Sequence, residues 1–135
     1  MHVQVSLVGA PTDIGASTRG ASMGPEALRV AGLQQMLEAQ GVEVVDRGNL
    51  GGPGNPCLPP LDGYRLPAEV AAWNLLVHDA VHGVLASGRL PILLGGDHCL
   101  GIGSITAVAQ WCRAQGRKLL VLWLDAHADF NTSTI

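Results

Sequence analysis

The chain has 135 residues, with 8 Lys and Arg against 11 Asp and Glu, a formal charge of −3, and only 14% charged side chains. At 47% hydrophobic it carries enough apolar side chain to build a core, which excludes disorder, and no uninterrupted apolar run approaches the ~20 residues of a membrane-spanning helix. The mild acidity and the lack of a Lys/Arg cluster argue against a nucleic-acid or anionic-membrane surface, and the size suits one domain. Val3, Val5 and Leu7 alternate with polar or small residues, so the N-terminus is expected to be a strand and not a signal peptide. A Gly/Pro/Ser-rich loop follows from Gly9 to Gly24. Pro25-Glu26 then opens a helix, with Val30, Leu33, Met36 and Leu37 on one face and Gly41 as its cap.

A short second strand is expected over Val42 to Val45. The stretch from Asp46 to Leu66, dense in Gly and Pro, is a long irregular connection. Pro67 starts a second helix whose Val70, Trp73, Val77, Val81 and Val84 make one apolar stripe, closed by Gly88. Leu90 to Leu94 is the third strand, and a third helix from about Gly103 carries Ile105, Val108, Ala109 and Cys112 on one face. Leu119 to Leu124 is the fourth strand. Strands alternating with helices define an α/β fold, a three-layer sandwich around a mostly parallel sheet. The fourth strand is apolar on both faces, as a central strand would be, and no helix follows it. The fold is therefore expected to be cut short after that strand, with residues 1–135 forming part of a single α/β domain.

Two clusters carry chemistry. Asp125-Ala126-His127-Ala128-Asp129 follows the fourth strand, and in extended chain the side chains at i, i+2 and i+4 face one way. Two carboxylates with one imidazole suit Mn²⁺, Fe²⁺ or Zn²⁺ better than a thiolate-loving metal, although a hydrogen-bonded strand end would use the same residues. Gly95-Gly96-Asp97-His98 follows the third strand, on the same carboxyl rim where parallel sheets bind ligands. There His98 could instead bond a loop carbonyl, and Asp97 could simply order the loop. Other features weigh less. Gly101-Ile102-Gly103-Ser104 lacks the Lys of a phosphate loop. His78 and His82, four apart on a helix, have no third ligand in view and suit an ordinary helix surface. Trp73, Trp111 and Trp123 are expected in the core or at its edge. Cys57, Cys99 and Cys112 show neither disulfide nor zinc-ribbon spacing, which fits a reducing, cytoplasmic setting, and Cys99 has no base beside it to make it a nucleophile.

Four stretches taken together resemble the ureohydrolase family and, within it, the arginases: Gly9-Ala10-Pro11 through Gly24-Pro25-Glu26-Ala27-Leu28-Arg29; Gly48-Asn49-Leu50; Gly95 through Ser104; and Asp125 through Thr132. The resemblance implies a pair of Mn²⁺ ions. His98 and Asp129 would bind one, His127 the other, and Asp125 would bridge both. A hydroxide between the ions would attack the guanidinium carbon of L-arginine, giving L-ornithine and urea, with Asp129 as the catalytic proton carrier. His127 and Asn131 would contact the substrate, and Asn131 would favour a carboxylate-bearing substrate over agmatine. The resemblance also implies a trimer or hexamer and a fourth strand that does not lie beside the third. The family's later Asp-x-Asp pair and its Ser, Asn and His substrate loop have no counterpart before Ile135. The competing expectations are another ureohydrolase, acting on agmatine or a guanidino acid, and a non-catalytic metal-binding module.

Overall fold

The computed structural model describes residues 3–127 and Asp129. Its frame is a parallel sheet in the order β2-β1-β3, formed by β1 (Gln4–Ala10), β2 (Glu43–Asn49) and β3 (Leu90–Gly95). Val5 pairs with Val44 on one side and Leu90 on the other, and the β1–β3 register runs unbroken to Ala10 opposite Gly95. β1 is central and buried from Val5 onward, because helices cover both faces of the sheet. On one face Val5, Leu7 and Leu94 meet Leu33 and Leu37; on the other Ala10 packs with Trp73, Val77, Val81, Leu100 and Ala107. This is the three-layer α/β arrangement expected from the strand and helix alternation.

The expected first helix is two: α1 (Gly24–Val30) and α2 (Leu33–Ala39). Gly32 lies between them at φ 83°, a left-handed conformation that ends α1 and redirects the chain. The break rotates the expected apolar face apart, so Leu33 and Leu37 pack inward while Val30 and Met36 are exposed. β2 runs to Asn49 and so takes the first four residues assigned to the long connection. Within it, Arg29 grips Asp46 through two hydrogen bonds of 2.7 and 2.9 Å and also bonds Asn49.

α3 (Pro67–Ala86) buries Trp73, Val77, Val81 and Val84, as its stripe requires, with Val70 half-buried. The Trp73 indole donates to the Pro53 carbonyl and thereby fixes the irregular connection. α4 (Gly101–Ala114) starts earlier than expected, straight out of a 3₁₀ turn at His98–Leu100. Its deepest residues are Gly103 and Ala107, against α3, and the expected face of Ile105, Val108, Ala109 and Cys112 is only half-buried. Asn74 on α3 joins the two helices: its Oδ1 accepts the Gly103 N–H at 2.6 Å, capping the first turn of α4, and its amide donates to Val70 O.

The expected fourth strand does not form a ladder. Among the described residues the sheet has three strands, and Leu119 to Leu124 run outside it with all six side chains exposed, Leu124 at 95%. Backbone N–H and C=O groups form a ladder only against a neighbouring strand, and neither open edge of the described sheet, on β2 or on β3, pairs with this run. Among the described residues no helix is long and apolar enough to cross a membrane.

Candidate metal centre

β1 and β3 run parallel, so their carboxyl ends open on the same rim, and the loops leaving them are locked together. Asp97 does the locking. Its backbone N–H donates to Thr12 O, and its carboxylate accepts from Gly15 N and Cys99 N at 2.9 Å each, the latter bond capping the 3₁₀ turn. Asp97 therefore orders the loop, the plainer of its two expected roles, and in doing so presents His98 outward on a fixed turn. On the other side of the first loop the buried Asp13 carboxylate accepts from Gly20 N, Ser22 Oγ and Asn55 Nδ2. Those donors, the Gly20 N–H foremost, hold its carboxyl below the usual range.

Asp125 and Asp129 approach His98 from the segment after Leu124. The His98 Nδ1 lies 3.7 Å from Asp125 Oδ2 and 3.8 Å from Asp129 Oδ2. Each of the three offers a ligand atom, and these atoms lie within 4.8 Å of one another. His127 Nδ1 stands 3.4 Å from Asp125 Oδ1, the opposite oxygen, so Asp125 sits between two imidazoles. One imidazole and two carboxylates are a fitting donor set for a divalent cation such as Mn²⁺. His98, Asp125 and Asp129 thus come together with His127 beside Asp125 alone, and not by strand alternation. The chain turns: Asp125 Oδ1 accepts the His127 N–H at 2.8 Å, and Asp129 adopts φ 53°, which brings its carboxylate back toward His98. The His127 N–H is also the main reason the Asp125 carboxyl lies below its ordinary value. Asn131 lies outside the described residues.

The remaining candidates stand apart. Cys99 packs against Gly15 with its thiol half-buried; burial, and then the Asp97 carboxylate, push it up to about 12, so it is a protonated thiol and no nucleophile. His78 bonds Asp79 and, across to α4, Gln110, and its ring stacks on His82 at 6.0 Å; a helix surface is what the pair builds. The Gly103 N–H is already taken by Asn74, and the Ser104 hydroxyl turns back to Leu100 O and Gly101 O, which removes the donors a phosphate would need. Trp123 was expected in the core or at its edge. It is instead 48% exposed at the rim, its indole N–H bonded to Asp129 Oδ2 at 3.0 Å. The signal in the sequence was its place two residues before Asp125, which in extended chain shares a side with it. His98, Trp123 and Asp129, together with Ile102, Ile105 and Thr106, line an open cleft of ≈ 470 Å³.

A three-stranded parallel sheet with helices on both faces and a His/Asp cluster at its carboxyl rim defines an α/β protein with a metal-type site. The family model described as "Arginase family" matches residues 3–135, and the chain belongs to that family. It is 36% identical over 132 residues to the arginase of Brevibacillus brevis, covering 98% of this chain and 43% of that protein. The solved arginase of Bacillus caldovelox superposes with a TM-score of 0.85 at 36% identity, covering 99% of this chain and 44% of that one. Entamoeba histolytica arginase in complex with L-ornithine gives a TM-score of 0.85 at 28% identity, covering 99% of this chain and 45% of that one. The chain spans less than half the length of these relatives.

Proposed function

We propose that this chain carries part of the active site of a manganese-dependent hydrolase that converts L-arginine and water to L-ornithine and urea. The observation that carries the reading is the convergence of His98, Asp125 and Asp129 within 4.8 Å, with His127 on the far oxygen of Asp125, in a member of the arginase family. His98 and Asp129 would hold one ion, His127 a second, and Asp125 both. When bound, such ions lower the pKa of water and so supply a nucleophile at neutral pH. Asp129, aimed into the cleft, is the group to hold a proton and pass it to the departing amine. His127 and Asn131 would orient the substrate, Asn131 at its amino-acid end. The L-ornithine bound by Entamoeba histolytica arginase is the product this reading requires. Four side chains cannot fill two Mn²⁺ shells of five or six ligands, so further ligands are expected from other segments of the protein. The free cysteines support a reducing, cytoplasmic location.

The 135-residue chain alone is expected to be inactive, so the test is urea release, with Mn²⁺, by a protein that also contains the segments supplying those further ligands, from L-arginine and from agmatine in parallel. Turnover of arginine supports the reading, and turnover of agmatine alone overturns the substrate. Asp125→Asn, which keeps the shape and removes the charge shared by both ions, is expected to lower kcat/KM by at least about a hundredfold.

A further inference from the structure

Asp129 reaches the site by an unusual path. Its backbone is left-handed at φ 53° and its carboxylate is only partly shielded. Something must hold that carboxylate at a fixed distance from His98. The Trp123 indole meets the requirement on three sides. Its Nε1–H donates to Asp129 Oδ2 at 3.0 Å. Its six-membered ring lies so close over the start of α4 that a Cβ on Gly101 would stand 3.0 Å from Cη2 and Cζ3. Its centroid is 6.1 Å from that of the His98 ring, tilted at 55°. One rigid side chain with two rotatable bonds thus touches the turn that carries one ligand and hydrogen-bonds the other.

We propose that Trp123 is a positioning residue for metal binding: its indole N–H sets the orientation of the Asp129 carboxylate, and its packing on Gly101 sets the distance from Asp129 to His98. The proposal rests on the reading of His98, Asp125 and Asp129 as metal ligands. An N–H donor engages one lone pair of Oδ2 and leaves the remaining lone pairs of the carboxylate for an ion, as outer partners of metal ligands commonly do. Trp123 touches no reacting atom in this scheme; it acts through Asp129.

Two variants separate the N–H from the bulk of the ring. Trp123→Phe removes the donor and part of the ring. Trp123→β-(3-benzothienyl)alanine keeps the two-ring shape and replaces the N–H by sulfur. Mn²⁺ titrations by calorimetry give the dissociation constant, visible absorption of the Co²⁺-loaded protein reports the ligand field, and thermal unfolding without metal reports the fold. Both variants are expected to bind Mn²⁺ about ten- to a hundredfold more weakly and to shift the Co²⁺ bands, with the metal-free unfolding midpoint unchanged for the benzothienyl variant. A benzothienyl variant with wild-type affinity and spectrum overturns the proposal, whatever the Phe variant does. Wild-type and variants are compared in a protein that also contains the segments supplying the further ligands, and absence of stoichiometric Mn²⁺ binding by that wild-type protein overturns the metal reading itself, a distinct outcome.

Discussion

Gly103→Ala poses two effects of opposite sign at one residue. Alanine in a helix interior is better than glycine by about 1 kcal/mol. At Gly103, however, the new Cβ would lie 2.3 Å from Asn74 O and 3.0 Å from its C and Cα, backbone atoms of α3 that cannot swing aside. Ordinary contact begins near 3.4 Å, so the helices must separate by about 1 Å. That movement loosens the packing of Ala107 and Leu100 against Val77, worth roughly 1–3 kcal/mol for an overpacked core. It also stretches the 2.6 Å bond from Gly103 N–H to Asn74 Oδ1, and a buried N–H left without its acceptor costs about another 1–3 kcal/mol. Strain wins: the two costs less the alanine gain leave an expected net loss of about 1–5 kcal/mol. Gly83, in α3 with nothing within 4 Å of its Cβ position, is the control: Gly83→Ala should stabilise by about 0.5–1 kcal/mol. Thermal unfolding reads both, at roughly 3–5 °C per kcal/mol for a chain of this size. A raised midpoint for Gly103→Ala, or shifts of the same sign at both glycines, would refute the reasoning.

The Asp46 carboxyl is held below its ordinary value of 3.8 chiefly by the Arg29 guanidinium, and Asp13 below its own by the Gly20 N–H. Both bind protons more readily in the unfolded chain, so their stabilisation is present above about pH 4 and is lost as pH falls through the lower folded values. Asp46→Asn should cost about 1 kcal/mol at neutral pH and flatten the acid limb of the stability curve, read by urea denaturation across pH; an unchanged limb would contradict the pairing. Iodoacetamide at mildly alkaline pH should alkylate the exposed Cys57 and spare Cys99, whose thiol is pushed up to about 12. Peptide mass spectrometry decides, and equal labelling of the two would refute the buried-thiol assignment.

The sequence already spoke for elements whose signals are local. Val5 and Leu7 alternate, Pro67 opens a helix, the Trp73 to Val84 stripe is helical, and each formed as read. Where pairing or turning depends on distant atoms the pattern was insufficient. Gly32 broke a helix whose apolar spacing ran straight through it, and the Leu119 to Leu124 run has strand composition without a strand to meet it. At the site the residue types were legible and their approach was not. Asp129 faces His98 because of the turn at Asp125 and a left-handed backbone, whereas strand periodicity grouped Asp125, His127 and Asp129 with one another. Asn74 was invisible because a polar residue in an apolar stripe gives no hint that it caps a different helix.

The two halves of the ligand cluster are mounted differently. His98 rides on a turn bolted to β1 and β3 through Asp97, whereas Asp125, His127 and Asp129 ride on a segment joined to no ladder among the described residues. An ion shared between the halves would therefore do conformational work as well as bind, because part of its free energy goes into fixing the second half against the first. Were residues 119–124 to pair with a further strand, any gain in ion affinity that followed would be returned as an equal gain in that pairing.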